Sequence, residues 1–280
     1  MSLPNVMRFG KVASRLGETI LPLFPKRAAS LRAGQLSPNP TFFEDMLVAG
    51  LVRNHTRRGT LDQLTPLHDW FWSNAPAVQF HEFAERRFER WFLANHVAIV
   101  PAIRAALEAD GVAFTAFCEV GCGSGRVLQY MMQAFPEISR FIGIDLSAEQ
   151  VTRNRSRYIG QRMEFEAADG PTWIDRNAQP GWVYLTCAGV FEYVSRPKLL
   201  ALLTTLASRL QPSLFGMVES LSDDYDLEND RESVPYGAEN VFSHNYVEIL
   251  RQAGFDILHR SEQRVDNQRW LLVVARSRTE

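Results

Sequence analysis

The stretch "CEVGCGSGRV", Cys118 to Val127, decides how the rest of the chain is read. It follows the apolar run Phe114–Val120 and leads into a segment of helical spacing, Arg126–Phe135. Gly121, Gly123 and Gly125 alternate with Cys122 and Ser124, and the acid Glu119 stands two residues before the first glycine. A turn this bare lets the backbone approach a ligand and exposes the first amides of a helix.

Downstream, short apolar runs alternate with helical segments. The runs are Phe114–Val120, Phe141–Ile144, Met163–Ala168, Trp182–Cys187, Leu214–Glu219, Phe255–Leu258 and Trp270–Ala275. Helices fit at Arg126–Phe135, Ser147–Ile159 and Lys198–Leu210. Strands separated by helices predict an α/β fold, a doubly wound, mostly parallel seven-stranded sheet. The last two runs are joined only by "HRSEQRVDNQR", too short for a crossover helix, so they predict a C-terminal antiparallel hairpin.

Upstream the pattern is helical. Phe42, Met46, Leu47 and Leu51 form one stripe; Phe80, Phe83, Phe88, Trp91 and Phe92 form a second; Asn95 through Ile99, Ile103 and Leu107 makes a third. "AGQLSPNP", Ala33–Pro40, is read as a linker. The expected organisation is a basic N-terminal extension with linker over 1–40, a helical cap over 41–95 and a ligand-binding domain over 96–280.

Composition excludes several classes. Hydrophobic residues at 46% and charged residues at 22% are globular values. A formal charge of −2 speaks against a nucleic-acid binder. Cys118, Cys122 and Cys187 form no C-x-x-C pair, so neither disulfides nor a cysteine zinc site is expected, and a reducing, cytoplasmic setting fits. No apolar run has the length of a membrane span. Residues 1–24 contain Phe9, Val12, Leu16 and Ile20 at helical spacing beside Arg8, Lys11 and Arg15, a basic amphipathic pattern. It suits peripheral contact with an anionic membrane or an organelle presequence, or a helix packed on the body of the protein.

Three ligands compete for the glycine turn. A phosphate-cradling loop needs G-x-x-x-x-G-K-[ST], and no lysine follows Gly125. The dinucleotide fingerprint needs a third glycine where Arg126 stands. S-adenosylmethionine has no pyrophosphate to seat but carries a sulfonium and an amino-acid tail, for which Glu119 is a sensible counter-charge. Glu119 to Gly125 resembles motif I of the class I S-adenosylmethionine-dependent methyltransferases, acid-x-G-x-G-x-G. The resemblance runs from about Asn95 to the C-terminus. It implies S-adenosylmethionine as cofactor, Asp145 on the ribose hydroxyls, Leu146 beside the adenine, Asp169 at the adenine amino group with Gly170 next to it, and the terminal hairpin. Gly121, Cys122, Gly123, Gly125 and Ala188 complete the expected cofactor contacts. Each also admits a structural reading: the glycines as a strand-to-helix turn, Asp145 as a polar strand exit, and Asp169-Gly170 as a turn dipeptide.

The acceptor side is less determined. "CAGVFEYV" offers Phe191, Glu192 and Tyr193 after the fourth strand and lacks an Asn-Pro-Pro-Tyr motif. A long loop after the fifth strand ends at His244, behind an expected helix cap at Ser243. His244, in a "SHxY" step similar to small-molecule and sugar methyltransferases, and Glu192 are the candidate catalytic residues; His81 is a rival, and His244 filling a first helical turn is the structural alternative. The acids Asp223, Asp224, Asp226, Glu228, Asp230 and Glu232 fail the calcium-loop pattern, so no metal site is expected. The aromatics Trp70, Phe71, Trp72, Phe80, Phe83, Phe88, Trp91 and Phe92 read as core, with part of them available to line an acceptor pocket. The function expected is O-methylation of a small-molecule or sugar-like acceptor; the alternatives are a non-catalytic methyltransferase-like module and a nicotinamide oxidoreductase.

Overall fold

A computed structural model describes residues 11–37, 41–73, 88–109, 111–236 and 241–278. Helices α1 (Lys11–Ile20), α2 (Pro25–Arg32), α3 (Phe42–Arg58) and α4 (Thr65–Ser73) come first. A π-type turn, Phe88–Leu93, and a short 3-10 turn, His96–Ala98, lead into α5 (Ile99–Glu108). Then β1 (Ala116–Val120), α6 (Arg126–Ala134), β2 (Arg140–Asp145), α7 (Ala148–Arg157), β3 (Met163–Ala167), α8 (Gly170–Asn177), β4 (Trp182–Cys187), α9 (Arg196–Ser208) and β5 (Ser213–Leu221) alternate. A small antiparallel pair, β6 (Val234–Tyr236) and β7 (Val241–Ser243), precedes α10 (Tyr246–Ala253), β8 (Phe255–Val265) and β9 (Gln268–Ser277).

The seven-stranded sheet has the order β3-β2-β1-β4-β5-β9-β8, with β9 antiparallel to both neighbours. The expected doubly wound sheet and closing hairpin are therefore present. Alternate residues of each strand face opposite layers. Cys118, Ile142, Tyr184 and Phe215 pack under α8, α9 and α10, whereas Phe117, Phe141, Val183 and Leu214 pack under α5, α6 and α7. Covered on both faces, these strands are apolar along most of their length, with polar residues such as Glu119, Asp145, Thr186 and Glu219 toward their carboxyl ends. The chain leaves β1 toward β2 and β3 and then returns to β4 on the other side. The β1/β4 boundary is thus the topological switch point, where open α/β sheets keep ligand crevices.

Several boundaries depart from expectation. β8 runs on to Val265, because "FDILHRSEQRV" is an edge strand whose outward residues are polar and charged. α8, unread in the sequence, starts at Gly170 with Asp169 as its cap. The β6–β7 pair was likewise unread. α10 is capped by Asn245, not by Ser243, which ends β7. Phe80, His81 and Phe83 lie outside the described residues. Among the described residues, no helix is long and apolar enough to cross a membrane and no His/Cys/Asp/Glu group could hold a metal.

The N-terminal helices share one core. Leu21, Ala28 and Leu31 pack with Leu47, Val48, Leu51, Leu64 and Leu67, and Phe242 of β7 joins them. Through α4 this helical layer reaches the carboxyl ends of the strands.

Candidate active site

The glycine turn is held by its neighbours on β2 and α7. Gly121 and Cys122 donate their N–H groups to the Ile144 carbonyl at 2.8 and 3.0 Å. Gly123 N–H donates to Asp145 Oδ2 at 2.9 Å, and Ser147 N–H donates to Asp145 Oδ1 at 2.9 Å. Asn154 and Tyr158 of the α7 region donate to the carbonyls of Gly123 and Ser124 at 2.7 and 2.9 Å. The carboxylate of Asp145 is thereby fixed in orientation at the glycine turn.

The glycines answer to packing as well as to ligand access. Gly121, Gly123 and Gly125 have φ of +71°, +48° and +74°, a region open to glycine. A Cβ on Gly121 would stand 2.7 Å from Val190 Cγ2, and one on Gly125 2.9 Å from the Phe165 and Tyr158 rings. Gly170 is pressed against Val120 in the same way. Cys122 points its side chain into the core beside Gly143, and burial together with the charges of Asp145 and Glu119 pushes its thiol well above the ordinary range.

Glu119 is buried beneath the turn. Burial, opposed by the N–H of Leu128 and reinforced by the charge of Asp145, raises its carboxyl well above the ordinary range. Its Oε2 has no hydrogen-bond partner. A buried carboxyl oxygen without a partner marks a place where a donor or a cation fits.

Glu119, Gly121, Cys122, Gly123 and Asp145 line one cavity of about 680 Å³ at the switch point, together with Leu146, Asp169, Gly170, Ala188 and Glu192, whereas Gly125 does not line it. Asp169 is not an open acid: it caps α8 through Thr172 and meets Lys198 Nζ at 2.9 Å. Burial raises its carboxyl, but the Thr172 and Lys198 contacts outweigh that and hold it below the usual value. Ala188 sits at φ +68°, a strained setting for a residue with a Cβ, at the loop that leaves β4. The opposite wall comes from His68, Asp69 and Trp72 of α4 and from Phe88, Trp91 and Phe92. Part of the aromatic cluster therefore faces the cavity.

The two catalytic candidates separate. Glu192 lines the cavity; its Oε2 accepts from Tyr236 Oη at 2.7 Å and from Ser220 Oγ, which also contacts the Tyr236 hydroxyl. Behind this cluster the fully buried Glu219 accepts the N–H groups of Val190 and Phe191, each at 3.0 Å. His244 does not line the cavity. Its Nε2–H donates to the Val194 carbonyl at 3.0 Å, and its Nδ1 accepts from Ser233 Oγ at 2.6 Å. Burial holds this imidazole neutral, down at about 4. It is a strut between loops, one residue before the cap Asn245, so it neither lines the cavity nor fills the first turn of α10.

One lining residue had no signal in the sequence. His96, with no exposed surface, lies against the Trp270 ring at 4.7 Å and has Nδ1 4.0 Å from Cys187 Sγ. Burial lowers its imidazole to about 4. Its Nε2 and the Trp270 Nε1 are both buried without hydrogen-bond partners in the cavity wall.

The chain has been compared with known proteins. Residues 117–213 match the family model described as a methyltransferase domain. No curated protein matches the chain. Among solved structures, a protein described as a methyltransferase from Haloferax volcanii, in complex with the Trm112 methyltransferase activator, aligns with a TM-score of 0.51. Its identity is 16%, over 72% of this chain and 95% of that chain. The 1,6-didemethyltoxoflavin-N1-methyltransferase of Burkholderia thailandensis aligns at 0.49, with 19% identity, over 72% of this chain and 88% of that chain. An S-adenosylmethionine-dependent methyltransferase from Mesorhizobium loti aligns at 0.45, with 21% identity, over 62% and 97%. At 16% identity the likeness to the Haloferax volcanii protein speaks for the fold alone. The acid-x-G-x-G-x-G turn seated at the switch point lies within residues 117–213, the stretch of this chain that matches a methyltransferase domain.

Proposed function

We propose that the protein methylates a hydroxyl of a small, sugar-like acceptor held between the strand ends and α4. The observation that carries this reading is the Glu192 carboxylate, fixed by Tyr236 and Ser220 on the wall of a cavity of about 680 Å³. That volume lies in the range of small-molecule sites. The methyl donor is assigned to Glu119, the backbone of Gly121, Cys122, Gly123 and Gly125, the Asp145 carboxylate, and Leu146, Asp169, Gly170 and Ala188. Unpartnered Glu119 Oε2 and the pre-oriented Asp145 oxygens fit its cationic and hydroxyl groups.

When bound, S-adenosylmethionine supplies a methyl group already activated on a sulfonium. The chain must then hold the acceptor oxygen in line, keep water out and take up one proton as the C–O bond forms and the C–S bond breaks. Trp72, Phe88, Trp91 and Phe92 exclude water from that side. Glu192 receives the hydroxyl proton. Tyr236 and Ser220 hold its carboxylate in one rotamer, and burial followed by the charge of Glu192 raises the Tyr236 phenol, so Tyr236 stays a donor.

Calorimetric titration with S-adenosylmethionine, S-adenosylhomocysteine and reduced nicotinamide dinucleotide tests the donor assignment. Binding of the first two and not the third is expected; the reverse overturns it. With labelled donor and a panel of hydroxylated and aminated small molecules, the label should appear in ether products. Recovery on nitrogen alone overturns the acceptor assignment. Glu192→Gln should lower kcat about a hundredfold while donor affinity stays within a factor of about two.

A further inference from the structure

Six of the ten large hydrophobic side chains that stand exposed among the described residues are Val12, Leu16, Leu23, Phe24, Phe42 and Phe43. All six belong to the helical layer, on α1, on the turn that follows it and at the start of α3, and Phe24 meets Phe43 edge-to-face at 5.1 Å. The cause lies in how α1 docks. It crosses α3 at Gly17 and Gly50, where a Cβ on Gly17 would stand 1.9 Å from the Met46 carbonyl oxygen. Ala13, Ser14, Gly17 and Leu21 therefore turn inward. Val12 at 73% exposure, Leu16 at 53% and Leu23 at 73% turn outward. An ordinary surface helix buries its apolar residues; α1 turns small residues inward, with Leu21 just past its end, and Val12 and Leu16 to the outside, while Ile20 packs on the core.

The charge beside this face is positive. Arg15, Lys26 and Arg32 are exposed. The acids Glu18 and Glu44 are already engaged, Glu18 with Arg53 and Arg57 at 3.0 and 2.9 Å and Glu44 with Arg27, while Asp45 is half-buried. We propose that this face docks on an anionic lipid surface, with Leu16, Leu23 and Phe42 entering the headgroup boundary and Arg15 and Lys26 meeting lipid phosphates. An apolar stripe rimmed by basic side chains has the composition of an interfacial helix. A second copy of the chain is disfavoured as occupant, since a two-fold contact would set Arg15 and Lys26 against their own equivalents. The docking face and the cavity share a layer: α4 packs through Leu67 into the same core and gives His68, Asp69 and Trp72 to the cavity wall. The proposal stands apart from the methyl-transfer reading and has its own test.

The full chain is sedimented with vesicles of phosphatidylcholine alone and of phosphatidylcholine with about one-third phosphatidylserine. Expected is binding to the anionic vesicles that falls with added salt and at least about tenfold in Leu16→Glu/Leu23→Glu. Arg15→Glu/Lys26→Glu should lose roughly fivefold per reversed charge. Donor affinity by calorimetry checks that each variant is folded. Equal binding to both vesicles, no binding, or binding unchanged in the variants overturns the proposal. So does a dimer, seen by light scattering without lipid, that Leu16→Glu/Leu23→Glu dissociates, because a second copy would then cover the face.

Discussion

The Gly123 N–H donates to Asp145 Oδ2 at 2.9 Å, binding the middle of the glycine turn to the end of β2, 22 residues on. The other oxygen of Asp145 accepts Ser147 N–H at the start of α7. Both carboxylate oxygens therefore face N–H donors. Replacing one by an amide nitrogen sets donor against donor, so Asp145→Asn should be nearly as damaging as Asp145→Ala. Each should weaken S-adenosylmethionine binding by about tenfold or more, on the scale of one charged hydrogen bond of about 1.5–3 kcal/mol. Calorimetry on variants whose thermal unfolding remains cooperative decides it. Wild-type affinity in Asp145→Asn would show that the carboxylate has no part in the donor site.

Across the switch point, Gly121 touches Val190 of the loop that leaves β4. Gly121→Ala places a methyl 2.7 Å from Val190 Cγ2 at a φ of +71°. The backbone term alone costs about 1–2 kcal/mol, and the contact adds to it. Gly121→Ala/Val190→Ala removes the contact but keeps the backbone term, so it should recover part of the lost stability and no more. Denaturant unfolding of the two variants and the wild type measures both parts. Full recovery would mean that the left-handed conformation is not required there.

What was legible in the chain was local. Trp182–Cys187 is a strand with the boundaries its apolar run suggested, because it is buried on both faces. Gly121 and Gly123 of the turn and the acids Asp145 and Asp169 at the ends of β2 and β3 lie within 49 residues of one another along the chain, and all four line one cavity. Short or half-exposed elements left no such mark. α8 opens with Asp169-Gly170-Pro171, which reads equally as a turn, and the outer half of β8 is polar because it is an edge. Long-range partners were invisible. His96 reaches Cys187 across 91 residues, and no periodicity announces that contact. His244 misled for the same reason: its position behind a cap was read locally, whereas Ser233 and Val194 satisfy both of its ring nitrogens.

Glu219 gives the fold a pH signature. Burial, opposed by the Thr186 hydroxyl, reinforced by the charge of Glu192 and opposed again by the Phe191 and Val190 N–H groups, pushes its carboxyl up to about 8 from an ordinary 4.5. The folded protein thus holds a proton there that the unfolded chain releases at lower pH. The stabilisation is complete below the unfolded value and is lost as pH rises through about 8. Glu219→Gln keeps an oxygen for the two N–H groups and cannot ionise. The difference in melting temperature, wild type minus variant, should therefore fall steadily from pH 5 to pH 9. A difference that is constant over that range would place the Glu219 carboxyl at its ordinary value.

The hairpin tip provides the last test. Asp266 and Asn267 form the two-residue β8–β9 turn at φ +50° and +64°, the geometry that suits Asp and Asn in a tight hairpin. From there Asp266 accepts Arg90 Nη2 at 2.7 Å and Trp91 Nε1 at 2.9 Å, holding the Phe88–Leu93 turn over the cavity. The Arg90 pair is exposed, so its share of global stability is below about 1 kcal/mol. Its local effect is larger, because Asp266 ties the turn to the hairpin tip, whereas Arg126 on Glu89 and Asn95 on the Arg90 carbonyl tie it to α6 and to its own end. Asp266→Asn tolerates the left-handed backbone but keeps a single acceptor oxygen for the two donors. It should leave the melting temperature nearly unchanged while amide exchange over 88–93 quickens several-fold and S-adenosylmethionine dissociates faster. If exchange in that turn matches the wild type, the clasp does not hold it, and Trp91 keeps its place by packing on Trp270, 5.9 Å away between ring centroids.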